Sequence, residues 1–129
     1  MTNYEIQNIE ITKINRPNPP VRLSFDEASI EALAESIRTH GIQVPLLVRP
    51  KNDRFEVIDG DCRLEAAFRL RLGTVPCLVR DATDGETHIL RMLANLERSD
   101  PDPVSYAVYL ARAINSGVVS AEEIAQKLN

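Results

Sequence analysis

The chain has 129 residues, 43% of them hydrophobic and 26% charged, and a formal net charge of −4. That length serves one domain with a real core and leaves two full domains cramped. The negative balance excludes a fold that grips DNA phosphates over a whole face, so any DNA contact is expected to be local or outside this segment.

Ile6, Ile9, Ile11 and Ile14 alternate imperfectly and predict one or two opening strands. Arg16-Pro17-Asn18-Pro19-Pro20 follows, and three prolines in four positions make a stiff extended loop rather than helix or sheet. Ser24 and Glu27 read as a capping box ahead of Ile30, Leu33, Ala34 and Ile37, which recur at helical spacing up to Gly41. A helix is therefore expected from Phe25 to His40. Leu46-Leu47-Val48 and Phe55-Glu56-Val57-Ile58 read as short buried strands, joined as a hairpin by Lys51-Asn52-Asp53-Arg54.

Asp59-Gly60-Asp61 then leads from a strand directly into a helix carrying Leu64, Ala67 and Phe68, expected to close near Gly73. Thr74 to Val79 returns as a strand. A second capping box, Thr83 with Glu86, opens a helix through Ile89, Leu90, Leu93 and Leu96 that Asp100-Pro101-Asp102-Pro103 breaks. A further helix carries Val104, Ala107, Leu110, Ala111 and Ile114, and stops at Gly117. Ser120 with Glu123 is a third capping box, and Ser120 to Leu128 reads either as the first helix of a helix-turn-helix unit cut short or as an ordinary terminal helix. The element order predicts an α+β (mixed α/β) domain over residues 1–99, a small sheet flanked by helices, with a helical extension over residues 100–129.

Cys62 and Cys77 form no disulfide framework, and no metal-ligand spacing joins them to His40 or His88. Cys62 is the candidate reactive thiol, and Cys77 is expected in the core. No leader pattern and no run of membrane-spanning length is present, so the expected compartment is the cytoplasm, with no membrane partner.

The stretch Val57 to Arg63 carries the clearest chemistry. The first turn of a helix presents backbone N–H groups and the positive end of its dipole to an anion. Gly60 lets the backbone approach a phosphate, Arg63 can add a charge-assisted contact, and Asp59 and Asp61 can hold a metal or act as a base. A plain turn in which Asp61 caps the helix explains the same residues. Asn95 and Arg98 share one helical face and can meet a metal-phosphate group, or form a solvated helix end. Arg22 rides on the proline loop.

Together these segments resemble the N-terminal domain of ParB-type chromosome-partitioning proteins, within the ParB/sulfiredoxin superfamily, over about residues 9 to 115. Asn18-Pro19-Pro20-Val21-Arg22 resembles the family's proline-and-arginine box, and "FDEASIEALAESIRTHGIQVPLLVRP" its helix, Gly and Pro-containing strand. "EVIDGDCRLEAA" stands where the family has a Gly-Glu-Arg-Arg box, and "LANLERSDPDPVSYA" is similar to its Glu-Asn-x-x-Arg box. Two positions depart: Cys62 replaces the first Arg of one box, and Ala94 the Glu of the other.

The resemblance implies CTP with Mg2+ as ligand and a nucleotide-driven clamp of two protomers around DNA, reopened by hydrolysis. A partner ATPase is expected as well. Carried over by position, Gly60, Asp61, Cys62 and Arg63 face the triphosphate, Arg22 approaches it from the proline loop, Asn95 serves the metal, and Arg98 stands on the phosphate side. Asp59 and Asp61 are the candidate catalytic carboxylates. Sulfiredoxin relatives place a Cys directly after the Gly, where this chain has Asp61. Two further readings on the same scaffold are a kinase of free serine using ATP or ADP, suggested by Asp59 and Asp61, and an interaction module without nucleotide, suggested by Cys62 and Ala94.

Overall fold

The computed structural model describes residues 5–18, 20, 24–96, 115 and 117. Contacts divide the chain into two compact units, Met1–Pro17 with Ser24–Asp81, and Asn18–Leu23 with Ala82–Asn129. The expected boundary at residue 99 and, apart from Asn115 and Gly117, the helical extension after it lie outside the described residues.

The first unit is a sheet with two helices. Its strands are β1 (Glu5–Glu10), β2 (Ile14–Asn15), β3 (Leu46–Lys51), β4 (Arg54–Asp59) and β5 (Thr74–Val79), and its helices are α1 (Glu27–His40) and α2 (Asp61–Arg69). The sheet order is β1-β5-β3-β4-β2. Neighbours alternate between antiparallel (β1–β5, β3–β4) and parallel (β5–β3, β4–β2). Both expected opening strands are present, but they stand at opposite edges of the sheet, joined only by a 3-10 turn at Ile11–Lys13. Five flat strands would separate the edges by about 19 Å, whereas the chain from residue 10 to residue 14 spans at most about 14 Å. The sheet must therefore curl until its edges approach at this turn.

The curl encloses the main core, in which Ile9, Val48, Val57, Val75 and Cys77 of the strands meet Leu64 and Ala67 of α2. Burial pushes the Cys77 thiol up to about 11, so it stays neutral and packs as a small apolar residue. A second cluster, Ile30, Ile37 and Ala66, joins α1 to α2. On the sheet face opposite Val48 and Val57, the cross-strand partners Arg49 and Glu56 are buried as an ion pair, Nη2 to Oε1 3.0 Å, and Lys51 approaches the same carboxylate at 3.7 Å. Opposite charges directly across the two strands favour this register of the hairpin.

The β3–β4 hairpin turns through Asn52 and Asp53 at φ 52° and 63°, two positive angles in succession, which match the strands' right-handed twist. In the second unit, α3 (Asp84–Leu96) opens as the sequence predicts. Thr83 Oγ1 accepts from the Glu86 amide at 3.1 Å, and Glu86 accepts from the Thr83 amide at 3.0 Å.

Two expectations are corrected. The Ser24–Glu27 capping box does not form: Asp26 takes the N-cap position of α1, and Glu27 turns instead to Arg69 of α2, at 2.6 and 2.9 Å. The two hydrogen bonds to Arg69 also hold the Glu27 carboxyl below its usual range. Gly73, expected near the end of α2, does not make the stop. The helix ends at Arg69, and Arg71 takes the left-handed position at φ 58°. The amides of Arg71 and Leu72 donate to Phe68 and Ala67 carbonyls, both at 3.1 Å, which is the Schellman arrangement with an Arg where Gly is preferred.

That strain is removable. Arg71→Gly is expected to raise the unfolding free energy by about 1 kcal/mol, read as a higher urea midpoint at an unchanged slope. An unaltered or lower midpoint would show that the left-handed Arg is not strained.

Candidate functional site

Strand β4 hands the chain to α2 at a single residue. Gly60 has φ 115° and ψ 23°, in the left-handed region, and its carbonyl accepts the first helical bond, from Leu64 N at 2.9 Å. A Cβ at this position would lie 2.9 Å from Leu46 Cγ and 3.0 Å from Arg63 Nη2. Residue 60 must therefore be glycine on two counts, backbone angle and space. The result is a small cradle beside the amide-bearing first turn of α2, the standard setting for an anion.

Arg63 lies over this cradle. Its Nη1 donates to the carbonyls of Val44 (2.8 Å) and Pro45 (3.2 Å), and its Nη2 stands 3.8 Å from Asp59 Oδ2. The guanidinium thus ties the loop after α1 to the junction. A hollow of about 160 Å3 opens beside it, lined by Leu33, Ile37, Gly41, Ile42 and Val44 among others.

Asp61, the first residue of α2, is only 5% exposed. Its two carboxylate oxygens receive Arg16 Nε at 3.0 Å and Nη2 at 3.3 Å, a two-point pair. Arg16 also covers the Phe25 ring, 4.5 Å from its centroid, and comes within 4.0 Å of Glu65. The charges continue along α2, since Glu65 pairs with Arg69 at 2.8 Å and Arg69 with Glu27 of α1. Asp61, Glu65 and Arg69 are four residues apart in turn, so they share one helical face.

The structure brings the predicted residues Asp59, Gly60, Asp61, Cys62 and Arg63 together at one junction. Cys62 is half-buried and packs against the Ile30–Ile37–Ala66 cluster, as a small side chain in the α1–α2 seam. Arg22, Arg98 and the side chain of Asn95 lie outside the described residues. Among the described residues no group of three or more His, Cys, Asp or Glu can hold a metal ion, so a protein-built metal cage is absent there. Also among the described residues, no helix is long and apolar enough to cross a membrane. Sequence reasoning did not single out Arg16 or Phe25, because their meaning depends on a contact with a residue 45 positions from Arg16.

Comparison with known proteins agrees with this geometry. The family model described as "ParB N-terminal domain" matches residues 1–96. The chain belongs to the ParB N-terminal domain family. It is 35% identical over 128 residues to a nucleoid occlusion protein of Shouchella clausii, covering 98% of this chain and 44% of that protein. It is 40% identical over 114 residues to the chromosome-partitioning protein Spo0J of Thermus thermophilus, covering 88% of this chain and 42% of that one. The chain thus spans less than half the length of these curated relatives. Among solved structures, C-terminally truncated ParB of Caulobacter crescentus complexed with CTP-γ-S superposes with a TM-score of 0.68 at 29% identity, over 95% of this chain and 70% of that one. The same ParB complexed to the centromeric parS site gives 0.66 at 27% identity, over 94% and 63%. The mixed α/β sheet of this chain is that of the ParB N-domain.

The cradle makes Gly60 the most demanding position in this ParB-like unit. Gly60→Ala is expected to cost about 2 kcal/mol of stability, from positive φ and the Leu46 contact together. Thermal and urea unfolding measure it, and a cost below a few tenths of a kcal/mol would show that the junction can relax.

Proposed function

We propose that this ParB N-terminal domain binds a cytidine nucleotide at the Gly60 junction and that occupancy gates a two-protomer clamp on DNA. The observation that carries the reading is the pairing of a left-handed glycine, whose Cβ position is filled by neighbours, with a guanidinium laid over the first turn of α2. The likeness to a ParB complexed with CTP-γ-S supports it.

In this reading the triphosphate lies against the amides at the start of α2, where the helix dipole and hydrogen-bond donors favour it. Arg63 meets it from above, and the family's boxes imply further phosphate-side cations at Arg22 and Arg98. Cys62 contributes a backbone amide where relatives have a cation. A phosphate would meet the amides of the first turn of α2 rather than the Cβ side of residue 60, which Leu46 and Arg63 close. Mg2+ arrives on the nucleotide, with Asn95 as its protein-side neighbour, which suits an ion that keeps several waters and takes few protein ligands. Asp59, with its side chain 32% exposed, is the carboxylate best placed to orient a water for hydrolysis. DNA contacts, the second protomer and a partner ATPase belong to the longer protein, and the likeness to ParB on its parS site supports the DNA part.

Calorimetry with CTP, ATP and ADP, each with Mg2+, tests the site. CTP is expected to bind best, and binding by none of the three overturns the proposal. Arg63→Ala is expected to weaken CTP binding about 10- to 100-fold, the worth of one lost charge-assisted contact. Unchanged affinity would remove Arg63 from the site.

A further inference from the structure

A carboxylate stands where the proposed ligand is most negative. Asp61 opens α2, in the same turn whose amides are to receive a polyphosphate, and it is almost fully buried. An uncompensated buried carboxylate there would repel each added phosphate charge, because burial weakens the screening of its charge. Yet Asp61 is compensated, and the compensation comes from far along the chain. Arg16, 45 residues earlier, takes both carboxylate oxygens.

Arg16 is itself held on three sides. Its backbone directly follows β2, its guanidinium lies on Phe25, and Glu65 stands beside it at 4.0 Å. Its side chain is 48% exposed while that of Asp61 is 7% exposed, so a half-exposed cation reaches inward to a desolvated anion. Contact with Phe25 also means that the chain leaving the sheet after residue 16 returns to the same spot at residue 25. The segment between them contains Arg22 of the proline-and-arginine box.

We propose that Arg16 is a positioning residue of the nucleotide site, which masks the charge of Asp61 so that a polyphosphate can approach the first turn of α2. The inference rests on the nucleotide reading above. Arg16 touches no phosphate in this account. It acts through Asp61, and its effect must scale with the charge of the ligand.

The test is calorimetric titration of CTP, CDP and CMP, each with Mg2+, into the wild-type chain and the variants Arg16→Ala, Asp61→Asn and the double variant. Arg16→Ala is expected to lose affinity on the order of tenfold for CTP, less for CDP and least for CMP. Asp61→Asn keeps the shape and removes the charge, and its own CTP affinity is the reference for the double variant. The double variant should regain CTP affinity to within about threefold of Asp61→Asn, because no charge is left to mask. Arg16→Lys should retain most of the CTP affinity, and Arg16→Gln should not. Should melting curves show Arg16→Ala unfolded, the Lys and Gln pair carries the same comparison. Equal losses for the three nucleotides, or no recovery in the double variant, overturn the proposal and mark the pair as purely structural. A wild-type chain that binds none of the three removes the nucleotide reading, and this inference with it. A wild-type chain that binds CTP while Arg16→Ala binds it equally well removes this inference alone.

Discussion

Residue 60 has no side chain, and the arrangement around it requires that. Leu46 of the central strand and the guanidinium of Arg63 both press into the volume a methyl group would take. Because β4 ends there and α2 begins there, the same residue sets the direction of the helix and the closeness of its first turn to the sheet. The α1–α2 seam, the seat of Arg63 on the Val44 and Pro45 carbonyls and the burial of Asp61 all follow from that approach. Structural necessity and the proposed ligand chemistry thus coincide at one glycine.

Where an element is set by neighbours in sequence, it was legible. Asn52-Asp53 turns the hairpin because short polar side chains tolerate positive φ, and Thr83 with Glu86 caps α3 within four residues. The same capping signature at Ser24 and Glu27 failed, since Arg69, 42 residues away, offers Glu27 a charged partner. At the end of α2 Gly73 is the stop that local sequence suggests, but the 6→1 bond from Leu72 places the left-handed residue at Arg71. Strand order was beyond reach as well: nothing local says that β1 and β2, almost adjacent in sequence, take opposite edges. The site was half legible for the same reason. Asp59 to Arg63 are contiguous and read as a junction, whereas Arg16 is brought in by tertiary packing.

A chain of formal charge −4 is proposed to accept a highly anionic ligand. Around the junction the acids do not stand alone. Asp59 faces Arg63, Asp61 faces Arg16, and Glu65 and Glu27 share Arg69. Arg16, Arg63 and Arg69 stand between these acids, so each carboxylate near the junction has a cation beside it and the acidic composition is partly offset where a phosphate would approach.

The 3-10 turn at Ile11–Lys13 has a consequence for evolution and engineering alike. With only three residues bridging the two rims of the sheet, it works as a ruler for the curl, and the Ile11 amide bonded to Gly73 at 3.0 Å is its fixed mark. An insertion here would do more than lengthen a loop: it would let the rim carrying β2 drift outward and draw Arg16 off its carboxylate. Grafts, tags or spacers are therefore better tolerated at the Asn52-Asp53 hairpin tip, which is exposed and passes no tension to the rest of the barrel-like wall.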